Sequence, residues 1–109
     1  MLSIDSLNAT EIEVMKHLLH APYDSRYLYK ISKGMGRAIT TIFENLEKLE
    51  NKGLIFSTPI YNPRTPREPT KVYNLTDFGE VYAWVFDTYP HGIMYLYKKH
   101  KEMNGNKHD

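Results

Sequence analysis

The chain has 109 residues, 41% of them hydrophobic and 25% charged, with a formal net charge of +1 and no cysteine. Such a composition describes one globular domain, large enough to bury its own core. It excludes disulfides, thiolate metal sites and cysteine nucleophiles, and no apolar run approaches the length of a membrane span. The first residues, Met1-Leu2-Ser3-Ile4-Asp5, do not pair a basic stretch with an apolar one, so no signal peptide and a cytoplasmic location are expected.

The first predicted element is a helix capped by Asn8. Glu11 stands three residues on, in capping-box spacing, and Leu7 and Ile12 hold the positions of a hydrophobic staple. Ile12, Met15, Leu18 and Leu19 give the helix a buried face. Ala21-Pro22 ends it, because the residue before proline avoids helical angles. A shorter helix over about 25–33 follows, capped by Asp24 or Ser25, with Leu28 and Ile31 inward. Gly34-Met35-Gly36 predicts a tight turn between helices.

The third helix is predicted over 37–52, with glycine in the turn as its cap. Ile39, Ile42, Phe43, Leu46 and Leu49 form its apolar stripe, and Gly53 closes it. The opposite face carries Arg37, Thr41, Glu44 and Lys48, flanked by Thr40 and Asn45. Two strand-like runs come next, 54–61 and 71–75. Between them lies 62–69, whose three prolines forbid a helix and favour a stiff, extended loop, so a hairpin with a basic tip is expected.

Thr76 caps a fourth helix beginning at Asp77, with Phe78, Val81, Tyr82, Val85, Phe86 and Tyr89 as its apolar stripe. Pro90 breaks it. A last helical stretch over about 91–103 carries Ile93, Leu96 and Tyr97 on one side, and 104–109 read as a frayed polar tail. With Trp84 and Met94 added, this is more apolar surface than three helices and a small wing can cover. Helix packing between two copies would bury it; a fold-back of the last helix over the first is the alternative.

The basic residues are segregated. Residues 26–37 contain Arg26, Lys30, Lys33 and Arg37 and no acid; residues 64–71 contain Arg64, Arg67 and Lys71 against Glu68. The remainder is therefore net acidic, a distribution that gives a near-neutral protein a basic face if the two windows meet.

The order of helix, helix, helix, hairpin and helix takes a specific form at Leu46-Glu47-Lys48-Leu49-Glu50-Asn51-Lys52-Gly53-Leu54-Ile55 and at Tyr73-Asn74-Leu75-Thr76-Asp77-Phe78-Gly79. Together these resemble the recognition-helix end and the wing-to-helix junction of the MarR, PadR and ArsR-like regulators. The resemblance implies a mostly α fold with a small β-hairpin wing: a winged helix-turn-helix domain over 1–89 with a C-terminal helical extension over 90–109 that dimerises. It implies a homodimeric transcription regulator that binds double-stranded DNA sequence-specifically, the third helix in the major groove and the wing on the adjacent backbone or minor groove. The residues expected on DNA are Arg26, Lys30, Lys33, Arg37, Thr40, Thr41, Glu44, Asn45, Lys48, Arg64, Arg67 and Lys71. Arg37 would pair with guanine, and Glu44 would accept from a cytosine amino group or simply repel DNA. The residues expected between copies are Tyr82, Trp84, Phe86, Tyr89, Ile93, Met94, Leu96 and Tyr97.

Other readings remain open. A winged helix also serves as a protein-interaction module, with Glu44, Glu47 and Glu50 as working surface, or as a non-specific DNA coat. His17 and His20 stand at a spacing that seats a metal, but no third ligand is evident, so no metal or cofactor is expected. No phosphate loop or hydrolase motif supports an enzyme. Nothing in the sequence marks an effector pocket.

Overall fold

A computed structural model describes residues 6–88, except the side chains of Asn62 and of residues 65–69. The order is α1 (Ala9–His20), a 3-10 turn (Tyr23–Ser25), α2 (Leu28–Met35), α3 (Ile39–Asn51), β1 (Ile55–Asn62), β2 (Thr65–Leu75) and α4 (Asp77–Thr88). The mostly helical fold with one hairpin agrees with the sequence reading. The stretch 90–109, and with it the expected last helix, lies outside the described residues.

Helix α1 starts as its sequence dictates. The Glu11 amide donates to Asn8 Oδ1 (2.7 Å) and the Asn8 amide donates to Glu11 Oε1 (3.0 Å), completing the capping box. Ala21 closes the helix in extended conformation ahead of Pro22. The buried face is Val14, Met15 and Leu18, with Ile12 and Leu19 at its margins. Glu11 is also buried, and its Oε2 accepts from Lys52 Nζ at 2.6 Å.

Neither Asp24 nor Ser25 caps α2. Residues 23–25 form their own turn, and Tyr27 precedes the helix without a side-chain cap. Tyr27 instead bridges Val72, and the Tyr73 amide donates to the Arg26 carbonyl (2.7 Å), so the chain entering α2 adds a short third rung to the hairpin. Arg26 braces this junction: Nε donates to the Ala21 carbonyl (2.9 Å) and Nη1 to Asn74 Oδ1 (2.8 Å). Gly34 and Met35 are helical, and the corner falls on Gly36, whose φ of 64° is left-handed. The Arg37 amide donates to the Ser32 carbonyl (3.1 Å) and the buried Ser32 hydroxyl donates to the Arg37 carbonyl (2.5 Å), fixing the turn.

Helix α3 therefore begins at Ile39 after Ala38, not at Arg37, and the expected glycine cap belongs to the end of α2. Ile42, Leu46 and Leu49 are fully buried in a core shared with Met15, Leu18 and Ile31. Each such side chain contributes roughly 1.5–3 kcal/mol by leaving water. Gly53, at φ 74°, ends α3 as expected, and Leu54 and Ile55 carry the chain back into the core.

The hairpin is longer than the sequence suggested. The strands pair antiparallel from Ile55–Leu75 through Ile60–Thr70, then shift register to close at Asn62–Thr65. Residues 65–70 thus lie in β2 and are not a loop. A two-stranded sheet has only edges, and edge strands tolerate proline's missing N–H. Beyond the hairpin, Thr76 caps α4: its Oγ1 accepts from the Gly79 amide (2.9 Å) and donates to the Gly53 carbonyl (2.8 Å). Ala83 and Phe86 face the core, with Tyr82 and Val85 at the margins.

Candidate nucleic-acid interface

Helices α2 and α3 with the Gly36 corner form a helix-turn-helix, and the hairpin stands beside α3. The buried stripe of α3 turns its other face outward, so Thr40, Glu44, Glu47 and Lys48 are all exposed. None of these four side chains makes a hydrogen bond or ion pair among the described residues. Ile39 and Phe43 belong to the apolar stripe of α3. They are 46% and 40% exposed and line a groove of about 500 Å³ with Tyr27, Tyr29 and Lys71. The start of α3 and the base of the hairpin therefore border one surface. Lys30 and Lys33 are exposed on α2.

Three expected DNA contacts are engaged otherwise. Arg26 is half-buried, with its guanidinium on Ala21 and Asn74. Asn45 is buried, because it lies on the flank of the apolar stripe. Its Nδ2 donates to the Thr41 carbonyl (2.7 Å), and its Oδ1 has no partner among the described residues. Arg37, which precedes α3, reaches back to α1, where Nη2 donates to Glu13 Oε2 at 2.7 Å. Thr41 is half-buried, and Arg64 is exposed near the hairpin turn. The Arg67 side chain lies outside the described ones.

The expected interface between copies also changes. Phe86 is 4% exposed and belongs to the core of the single chain, because the inward phase of α4 runs through Gly79, Ala83 and Phe86. Tyr82 is half-buried, edge-on to Phe78 with ring centroids 5.1 Å apart. The outer face is Phe78, Val81 and Trp84, between 46% and 61% exposed. Phe78 and Val81 belong to the apolar stripe expected for this helix. Tyr89, Ile93, Met94, Leu96 and Tyr97 lie outside the described residues.

Where α1 meets α2, a shallow cavity of about 400 Å³ is lined by His17, His20, Lys30, Lys33 and Gly34. Burial pushes the His17 imidazole below its ordinary value of 6.5. His20 Nε2 lies 2.8 Å from Asp87 Oδ2, linking the ends of α1 and α4. Among the described residues no group of three or more His, Cys, Asp or Glu is placed to hold a metal, and no helix is long and apolar enough to cross a membrane. Tyr73, in β2, is buried; the pKa of its phenol is pushed up by desolvation and by the charges of Glu50 and Glu47.

No family model matches the sequence, and no curated protein matches it. Solved structures do. A ZitR variant from Lactococcus lactis superposes with a TM-score of 0.65 at 17% identity, covering 94% of this chain and 66% of that one. The S. aureus MepR–DNA complex gives 0.64 at 19% identity, covering 94% and 76%. A transcriptional regulator homologue from Pyrococcus horikoshii gives 0.61 at 22% identity, covering 80% and 81%. The chain thus spans just under two thirds of the ZitR chain's length. The fold is a winged helix-turn-helix, the class to which these transcription regulators belong and the one that the two sequence motifs indicated.

Proposed function

We propose that this protein is a transcription regulator that reads double-stranded DNA as a homodimer in the cytoplasm. Helix α3 enters the major groove, α2 lies over the phosphates, and the hairpin tip reaches the adjacent backbone or minor groove. The observation that carries this reading is the state of the lysines. Lys30, Lys33, Lys48 and Lys71 are exposed and without partners among the described residues, on the elements that surround the outward face of α3. Unpaired cations around an open helix face suit a polyanion. Arg64 is exposed at the hairpin turn, and the sequence places Arg67 three residues on. MepR, with which the chain shares its fold, was solved on DNA.

The dimer reading is supported by Phe78, Val81 and Trp84, an exposed apolar face on α4 beside Leu19. A second copy that packs on this face would relieve that exposure. Tyr89, Ile93, Met94, Leu96 and Tyr97, also expected between copies, lie outside the described residues.

Selection of tight binders from random duplexes tests the proposal. A dimeric reader enriches an inverted repeat with half-sites about 34–36 Å apart, one helical turn. Binding without enrichment makes the protein a DNA coat. A second reading, a protein-interaction module, draws on the exposed Ile39, Phe43, Glu44 and Glu47 of α3. Elution from heparin at low salt favours that module.

A further inference from the structure

We infer that Glu44 is the specificity-determining residue of α3, accepting a hydrogen bond from the exocyclic amino group of a cytosine in the major groove. The inference rests on the DNA-binding reading above and names the base that it selects.

Arg37 is tied to Glu13, and Asn45 is buried with its amide on Thr41. Of the polar residues in the first half of α3, Thr40 and Glu44 are the exposed pair one turn apart on the outward face. The Glu44 carboxylate makes no hydrogen bond or ion pair among the described residues, not even with Lys48 one turn on. Glu47 lies in the second half of α3, and its charge, with that of Glu50, raises the pKa of the Tyr73 phenol.

An ionised carboxylate has acceptors only. It must therefore meet a donor. The major groove offers two: cytosine N4 and adenine N6. At adenine the N7 lone pair sits beside the amino group and repels a carboxylate. Guanine O6 and N7, thymine O4 and every phosphate repel it as well. Glu44 thus weakens binding to most sequences and favours cytosine, a residue that discriminates by rejecting the alternatives.

The test is duplex selection with wild type, Glu44→Gln and Glu44→Ala, followed by affinity measurements on the wild-type site. Glu44 is exposed, so both variants should melt with the wild type. Wild type should fix one C·G pair per half-site. Glu44→Ala should lose the choice at that pair alone, with discrimination there falling about tenfold or more. Glu44→Gln should move the choice toward adenine, whose N6 and N7 fit an amide. Placing N4-methylcytosine at that position should weaken wild type and leave Glu44→Ala unaffected. If Glu44→Ala keeps the full site and binds all duplexes more tightly by one factor, Glu44 is only a repulsive charge and the inference is overturned, with DNA binding intact. Absence of DNA binding by wild type overturns both.

Discussion

The Leu54 carbonyl lies where a side chain on Gly79 would begin: a Cβ there would overlap the carbonyl oxygen and sit 2.8 Å from the carbonyl carbon. The Thr76 amide donates to that same oxygen (3.1 Å) while the Thr76 hydroxyl donates to Gly53 (2.8 Å). Helix α4 is thereby fastened directly to the chain leaving α3. Neither backbone can yield without breaking these bonds. Gly79→Ala should therefore destabilise by on the order of 3 kcal/mol, the upper range for an overpacked core site. Urea unfolding measures it; a change within about 0.5 kcal/mol, the level of an ordinary surface substitution, would contradict the packing described.

Lys52 and Glu11 form the other tie. The carboxylate is buried, and the ammonium also donates to the Ser6 carbonyl at 2.6 Å. Removing one partner leaves an uncompensated charge, so Lys52→Met should cost about 3–5 kcal/mol. Adding Glu11→Leu to Lys52→Met should recover part of that loss. Thermal melts of the two variants check the order.

The Arg37–Glu13 pair is half exposed on both sides, so its stability contribution should stay below about 1 kcal/mol. Its effect on DNA should be larger. Glu13→Ala frees a cation at the mouth of α3 and removes an acid, so affinity for random duplexes should rise and the salt slope should steepen by up to about 1. Unchanged affinity and slope would mean that Arg37 does not reach phosphate.

His17 bears on stability through pH. Its folded pKa lies below the ordinary 6.5, because burial disfavours the cation. Protonation therefore favours the unfolded chain. The His17 contribution is fully present above pH 6.5 and is lost as pH falls from there toward the lower folded value. The melting temperature should drop across that interval, and His17→Gln should flatten the drop. An equal drop in the variant would assign it elsewhere.

What was legible in the sequence follows the range of the interactions. The Asn8–Glu11 box, the Gly53 stop and the Thr76 cap are set within a few residues, and each lies where local chemistry puts it. The two motifs that carried the resemblance meet at the Leu54–Gly79 junction. The start of α2 was misplaced because Arg26 and Tyr27 pair with Tyr73 and Val72, partners far along the chain. Periodicity located the stripe of α3 but not its covered width. Ile39 and Phe43 stay open beside the hairpin, whereas Asn45 on the other flank is buried. For the same reason Phe86 and Trp84 look alike in sequence as interface residues, and only packing assigns one to the core.

The central claim is that the outward face of α3 and its surrounding cations bind duplex DNA. The most direct test is the affinity of the purified protein for duplex DNA over a series of salt concentrations. The account predicts a log–log plot that falls steeply, about 0.9 per phosphate neutralised, and that becomes shallower by about 2 when Arg64 and Arg67 are both replaced by alanine. Weak binding that does not change with salt would contradict it, and would leave the winged helix as a surface for another kind of partner.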